Sequence, residues 1–232
     1  TGNWNSAQTV TVTAVDDLAQ EGPHTSTITH TAASADSFYN AISISSVTAN
    51  VTDNDIPGVT IVQSGGSTAV NEAGPTSDTY TINLESLPTA DVTITVTPNA
   101  QLSVGAGAGV ATNLVFTTGN WNTPQTVTAT AVDDAVAEGA HNGTITHTAA
   151  SSDTDYNGFA IANVVANITD NDTANVIVTQ SGGSTSVDEF GPTSDTYTII
   201  LQSQPTADVT ITVDPDTQTD IGAGAGASVD LV

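Results

Sequence analysis

The residues in this chain that could do chemistry are carboxylates, and they fall in recurring groups. Asp133-Asp134 is followed by Glu138, and Asp170 and Asp172 flank a single asparagine. The same spacing occurs earlier as Asp16, Asp17 and Glu21, then Asp53 and Asp55. Glu72 and Asp78 lie between the two sets, and Glu189 stands where Glu72 would recur. Oxygen ligands gathered from loops suit a hard divalent cation. Calcium accepts irregular loop geometry with six to eight oxygens, whereas magnesium prefers a stricter octahedron. Zinc would want His or Cys, and the pattern does not place the histidines near these acids. Two other readings use the same residue types. Asp and Asn cap turns through their side chains, and a pair of carboxylates can hydrolyse a glycosidic bond.

The charge balance weights the cation reading. The chain has no lysine and no arginine, against 25 acidic residues. Only its four histidines could pair with a carboxylate. A like pair about 4 Å apart costs about 4 kcal/mol at an effective dielectric of about 20, so clustered acids need water, protonation or metal. Nucleic acid is excluded as a partner because phosphate binding needs basic side chains. Anionic membrane surfaces are excluded on the same ground. Cysteine and methionine are absent, so no disulfide and no oxidisable sulfur is present, as suits an exposed extracellular protein.

The chain is one sequence written twice. Displaced by 117 positions it aligns on itself without a gap, identical at nearly two-thirds of the overlap. Gly2-Asn3-Trp4-Asn5 meets Gly119-Asn120-Trp121-Asn122, and Asp53-Asn54-Asp55 meets Asp170-Asn171-Asp172. A repeat of this length is a domain. The turn-rich stretch at 52–58 recurs at 169–175, which sets the boundaries. Residues 58–174 form one complete unit, 1–57 the second half of a preceding unit, and 175–232 the first half of the next. Any targeting segment is expected outside the chain, which opens within a repeat.

Apolar residues alternate with threonine in period two, the pattern of half-buried strands. Seven main strands are expected in the complete unit, at about 59–71 (broken at Gly65-Gly66), 78–84, 91–97, 110–116, 125–132, 143–149 and 160–169. The fold class is therefore all-β, as tandem antiparallel β-sandwiches. Trp121 is expected to plug one end of the core. His147 shares parity with Ile145 and should face inward, while His141 should brace the acidic loop. Tracing the strands up and down gathers Glu72, Asp78, Asp133, Asp134, Glu138, Asp170 and Asp172 at one pole, the pole that leads into the next repeat. Glu85, Asp91, Asp153 and Asp155 fall at the other.

The motifs Asn-Trp-x-x-Pro-Gln-Thr-Val-x-Ala-x-Ala-Val-Asp-Asp, Glu-Gly-x-His, Ile-x-His, Ser-x-Asp-x-x-Tyr and Ile-Thr-Asp-Asn-Asp run from Trp121 to Asp172. They resemble Calx-beta-type repeats of bacterial surface and adhesin-like proteins and, more distantly, of sodium–calcium exchangers. The resemblance implies an immunoglobulin-like sandwich binding Ca2+ at one pole. It makes Glu72, Asp133, Asp134 and Glu138 first-choice ligands, with Asp170 and Asp172 at the junction. The chain departs from the exchanger pattern in having a shorter acidic run. It also has Gly105-Ala106-Gly107-Ala108-Gly109 where an acid is expected. Both departures favour a structural brace over a tuned sensor.

The expected function is a structural segment of an extracellular, calcium-stabilised tandem-repeat fibre or adhesin stalk at a bacterial cell surface. Neighbouring repeats are its first partners. One alternative is a filament subunit whose half-domains complement those of identical chains head to tail. Another is a calcium-dependent module that binds surface glycans. Catalysis is not expected, because the same carboxylates recur in every unit of the array.

Overall fold

The computed structural model describes residues 2–191 and 193–232. Its strands are β1 (His24–Ile28), β2 (Val47–Val51), β3 (Val59–Gln63), β4 (Thr68–Asn71), β5 (Ser77–Leu84), β6 (Val92–Pro98), β7 (Leu102–Ser103) and β8 (Thr112–Phe116). They continue with β9 (Gln125–Ala131), β10 (His141–Ser151), β11 (Val164–Thr169), β12 (Val176–Gln180), β13 (Tyr197–Leu201), β14 (Ile211–Val213) and β15 (Val229–Leu231).

Within 58–174 two sheets face one another. One has the order β4-β11-β10-β6-β8 and the other β3-β5-β9-β7. The period-two pattern explains the layers. In β6, Val92, Ile94 and Val96 are fully buried and the intervening threonines are half-exposed. In β5, Tyr80, Ile82 and Leu84 face them from the other sheet. Trp121 is buried at the edge of this core, and its carbonyl accepts the Leu84 amide at 2.9 Å. The expected strands are all present, with β10 longer and β11 shorter than the pattern indicated. The two-residue strand β7, which pairs with β9, has too little alternation to be read from sequence.

The first expected strand changes sheets at its glycine break. β3 pairs antiparallel with β5. Gly65 and Gly66 then adopt positive φ values of 62° and 86°, a conformation that costs glycine little. Beyond them β4 joins the opposite sheet and pairs parallel with β11, Thr68 opposite Ala166 and Asn71 opposite Thr169. The sandwich is thus antiparallel except at this one edge. Asp78 clamps the crossing. Its carboxylate accepts the Ser64 hydroxyl, the Ala69 amide at 2.9 Å and the Thr79 amide at 2.7 Å.

The flanking segments repeat parts of this arrangement. His24 pairs with Val51 in β1–β2, and His141 pairs with Ile168 in β10–β11, each residue 117 positions on. Val176–Leu201 in β12–β13 likewise matches Val59–Leu84 in β3–β5. Apolar residues buried in 58–174 have exposed counterparts in the flanks: Trp121 is 9% exposed and Trp4 is 84% exposed.

Among the described residues, two equivalent backbone contacts join successive segments. The Leu87 amide donates to the Leu18 carbonyl at 2.7 Å, and the Gln204 amide donates to the Ala135 carbonyl at 2.6 Å. Each belongs to a short parallel bridge, Ala19 with Leu87 and Val136 with Gln204. An aspartate shapes the accepting loop each time. Asp17 accepts the Ala19 amide at 2.8 Å, and Asp134 accepts the Val136 amide at 2.8 Å.

Candidate metal centre

The crossing strand delivers Glu72 to the end of β11. The Glu72 amide donates to the Thr169 carbonyl at 3.1 Å, extending the parallel pairing by one residue. This places its carboxylate beside the Asp170-Asn171-Asp172 turn. Glu72 is fully buried, and neither carboxylate oxygen has a hydrogen-bond partner. Burial, followed by the charge of Asp170, pushes its carboxyl above the usual range.

Asp170 has a different task. Its carboxylate accepts the Asp172 amide at 2.7 Å, the Glu138 amide at 2.7 Å and the Gly139 amide at 2.6 Å. The Asp172 and Gly139 amides hold its carboxyl below the ordinary value. It pins the loop after β9 to the end of β11 while staying ionised. Asp53 does the same in the preceding segment, accepting the Glu21, Gly22 and Asp55 amides. Asp172 is pushed the other way by burial and then by Asp170, Asp133 and Asp134, and its Oδ2 is buried without a partner.

Two groups of ligand atoms result, each lying within 4.8 Å of one another: Glu72, Asp170 and Asp172, and Glu72, Glu138 and His141. Ligands on opposite sides of a calcium ion stand about 4.8 Å apart, so the first group fits around one ion. Its orphaned, buried oxygens are what a cation would satisfy, and no lysine or arginine exists to do it instead.

Of the expected pole, Glu72, Glu138, Asp170 and Asp172 come together. Asp133 and Asp134 flank them, close enough to raise Asp172. Asp133 accepts the Asn171 side-chain amide at 3.2 Å. Asp78 stands apart: its carboxylate accepts bonds at the strand crossing and belongs to neither ligand group. Asp16, Asp17, Glu21, Asp53 and Asp55 line one cleft together with His24. Glu189 is exposed and joins no ligand group among the described residues.

The expectation that histidines stand apart from the acids fails, whereas the expected placing of His141 against the acidic loop agrees with its position. His141 Nε2 lies 3.4 Å from Glu138 and 3.8 Å from Glu72. Its partner Glu138 is three residues away in sequence, a spacing visible in Glu-Gly-x-His, but Glu72 arrives only through the crossing strand. His147 faces inward as expected. Its Nε2 accepts the Tyr80 hydroxyl at 2.8 Å, and its Nδ1–H donates to the Ala162 carbonyl at 2.9 Å.

No family model matches the chain, and no significant match is found among curated proteins.

Proposed function

We propose that this chain is a segment of an extracellular tandem-repeat fibre or adhesin stalk, of Calx-beta type, in which calcium stiffens the joints between repeats. The observation that carries this reading is the double role of one loop. The loop after β9 bears Asp133, Asp134 and Glu138 at the acidic pole, and through Ala135 it also accepts the amide of Gln204 in the next segment. Asp170 ties the far end of that loop to β11. A calcium ion on Glu72, Asp170 and Asp172, with Asp133, Asp134 and Glu138 around it, would fix the loop and hence the joint. Asp16, Asp17, Glu21, Asp53 and Asp55 would serve the preceding joint in the same way.

The partners in this reading are matching half-repeats. Trp4 and Val10 are exposed at positions whose counterparts Trp121 and Val127 are buried, so a complementary half covers them. That half comes from the neighbouring repeat or, in the filament reading, from an identical chain.

Thermal unfolding and small-angle scattering, each in calcium and in excess chelator, test the proposal. Saturation at about 100 times the dissociation constant contributes about 2.7 kcal/mol. We expect a melting point several degrees higher in calcium and a longer, stiffer envelope. Identical curves in both conditions would remove calcium from the reading.

A further inference from the structure

A nitrogen donor faces the acidic pole, and calcium does not account for it. His141 Nδ1 stands 2.9 Å from the Gly139 carbonyl. A carbonyl only accepts, so Nδ1 carries the ring hydrogen, and the neutral imidazole presents a bare lone pair at Nε2. That nitrogen is buried and no hydrogen-bond donor reaches it. It faces Glu138 Oε2 at 3.4 Å and Glu72 Oε1 at 3.8 Å, and Glu72 is wholly buried with both oxygens unpartnered. With the ring neutral, three lone-pair donors converge on one point.

The separations fit a small tetrahedral ion. With zinc–ligand bonds of about 2.0–2.2 Å, neighbouring ligand atoms lie roughly 3.4 Å apart. Calcium favours oxygen alone, whereas a mixed imidazole and carboxylate set suits zinc and related borderline cations. The supporting contacts are those of a metal-binding histidine, whose second nitrogen donates to a backbone carbonyl and fixes the ring. Glu138 is also held, since Gln101 Nε2 donates to its two oxygens at 2.8 and 2.9 Å. The preceding segment builds the same half-site. His24 Nδ1 lies 3.0 Å from the Gly22 carbonyl and its Nε2 lies 3.4 Å from Glu21.

We propose that Glu72, Glu138 and His141 form a second cation site, which takes zinc or a similar borderline transition-metal dication. It adjoins the all-oxygen group and shares Glu72 with it. The proposal deepens the calcium reading of the same pole, because it assigns the nitrogen side to a different class of metal.

The test is titration of the full 232-residue chain with zinc chloride by calorimetry, in chelator-treated protein and again in saturating calcium. Nitrogen-15 spectra of the histidines are recorded alongside. We expect one zinc per complete pole, a marked shift of the His141 Nε2 resonance, and at least about tenfold weaker zinc binding in H141A. E138Q should weaken zinc as well, and melting curves report whether either variant still folds. The calcium-dependent rise in melting point should survive in H141A. Zinc binding of equal strength in wild type and H141A would overturn the proposal. So would a His141 resonance that zinc leaves unmoved. Loss of the calcium effect with zinc binding intact would sink the calcium reading alone.

Discussion

The amide of Leu87 donates to the carbonyl of Leu18 across 2.7 Å, and the same bond recurs 117 residues later between Gln204 and Ala135 at 2.6 Å. Two independent joints have the same geometry although both residue pairs differ in type. The backbone sets the contact, and Asp17 and Asp134 shape the accepting loops. Replacing the donor by proline removes the N–H and leaves the side-chain chemistry of the pole untouched. L87P and Q204P should each loosen one joint without unfolding the 58–174 sandwich. Small-angle scattering should show a shorter, more variable envelope in calcium, while the main melting transition stays within a few degrees of wild type.

Glu72 gives a prediction with opposite signs in two conditions. Its carboxyl is raised in the folded state by burial and then by Asp170. A raised acid contributes stability that is present below the unfolded value, about 4.5, and is lost as pH climbs through the folded value. At neutral pH without metal, the buried charge is therefore a liability. E72Q should stabilise the fold in chelator by about 1–3 kcal/mol, and should abolish the melting-point rise produced by calcium. A variant less stable than wild type in chelator would show that the carboxylate is already satisfied there.

Asp78 clamps the crossing that carries Glu72 to the acidic pole. Its carboxyl is held low by the Ser64 hydroxyl first and the Ala69 amide second. It therefore contributes stability above the unfolded value near 3.8, lost as pH falls through the folded value. D78A should cost about 1–2 kcal/mol and should also weaken calcium binding, because the crossing that carries Glu72 loses its clamp. Calorimetric titration separates the two effects. Unchanged calcium affinity in a destabilised D78A would mean that β4 holds its place unaided.

Tyr80 and His147 form a buried polar link between the two sheets. Burial lowers the histidine and raises the tyrosine. The neutral imidazole is the folded form, so its contribution to stability is complete above the unfolded value near 6.5 and falls away as pH drops through the lower folded value. Y80F leaves the Nε2 acceptor unpaired and should cost about 1–3 kcal/mol. Chemical denaturation across the weakly acidic range should show the wild type losing stability there, and H147F should lack that pH-dependent component.

Much of this was legible in the residues. Val92, Ile94 and Val96, and Tyr80, Ile82 and Leu84, announce two buried faces by alternation alone, and the duplicated Asp-Asn-Asp turns mark both joints. Alternation gives parity but not sheet membership. For that reason the pattern shows the crossing at Gly65-Gly66 only as a break, and it does not reveal that Asp78 holds that crossing. The same crossing hid the approach of Glu72 to His141, residues far apart in sequence whose contact depends on β4 pairing parallel with β11. Glu138 and His141, three residues apart, are paired by spacing alone, as the expected bracing role of His141 implies.

That parallel pairing has a mechanical consequence. In a stalk under tension, a repeat is pulled through the strand that enters it and the strand that leaves it. β4 follows the entry and β11 precedes the exit, and they run in the same direction across the four pairs from Thr68 to Asn71. Opposed pulling would slide one along the other and load those pairs together, in shear rather than one at a time. Glu72 and Asp170 stand just past the ends of the two strands, so an ion held between them would act as a rivet at the point where sliding begins.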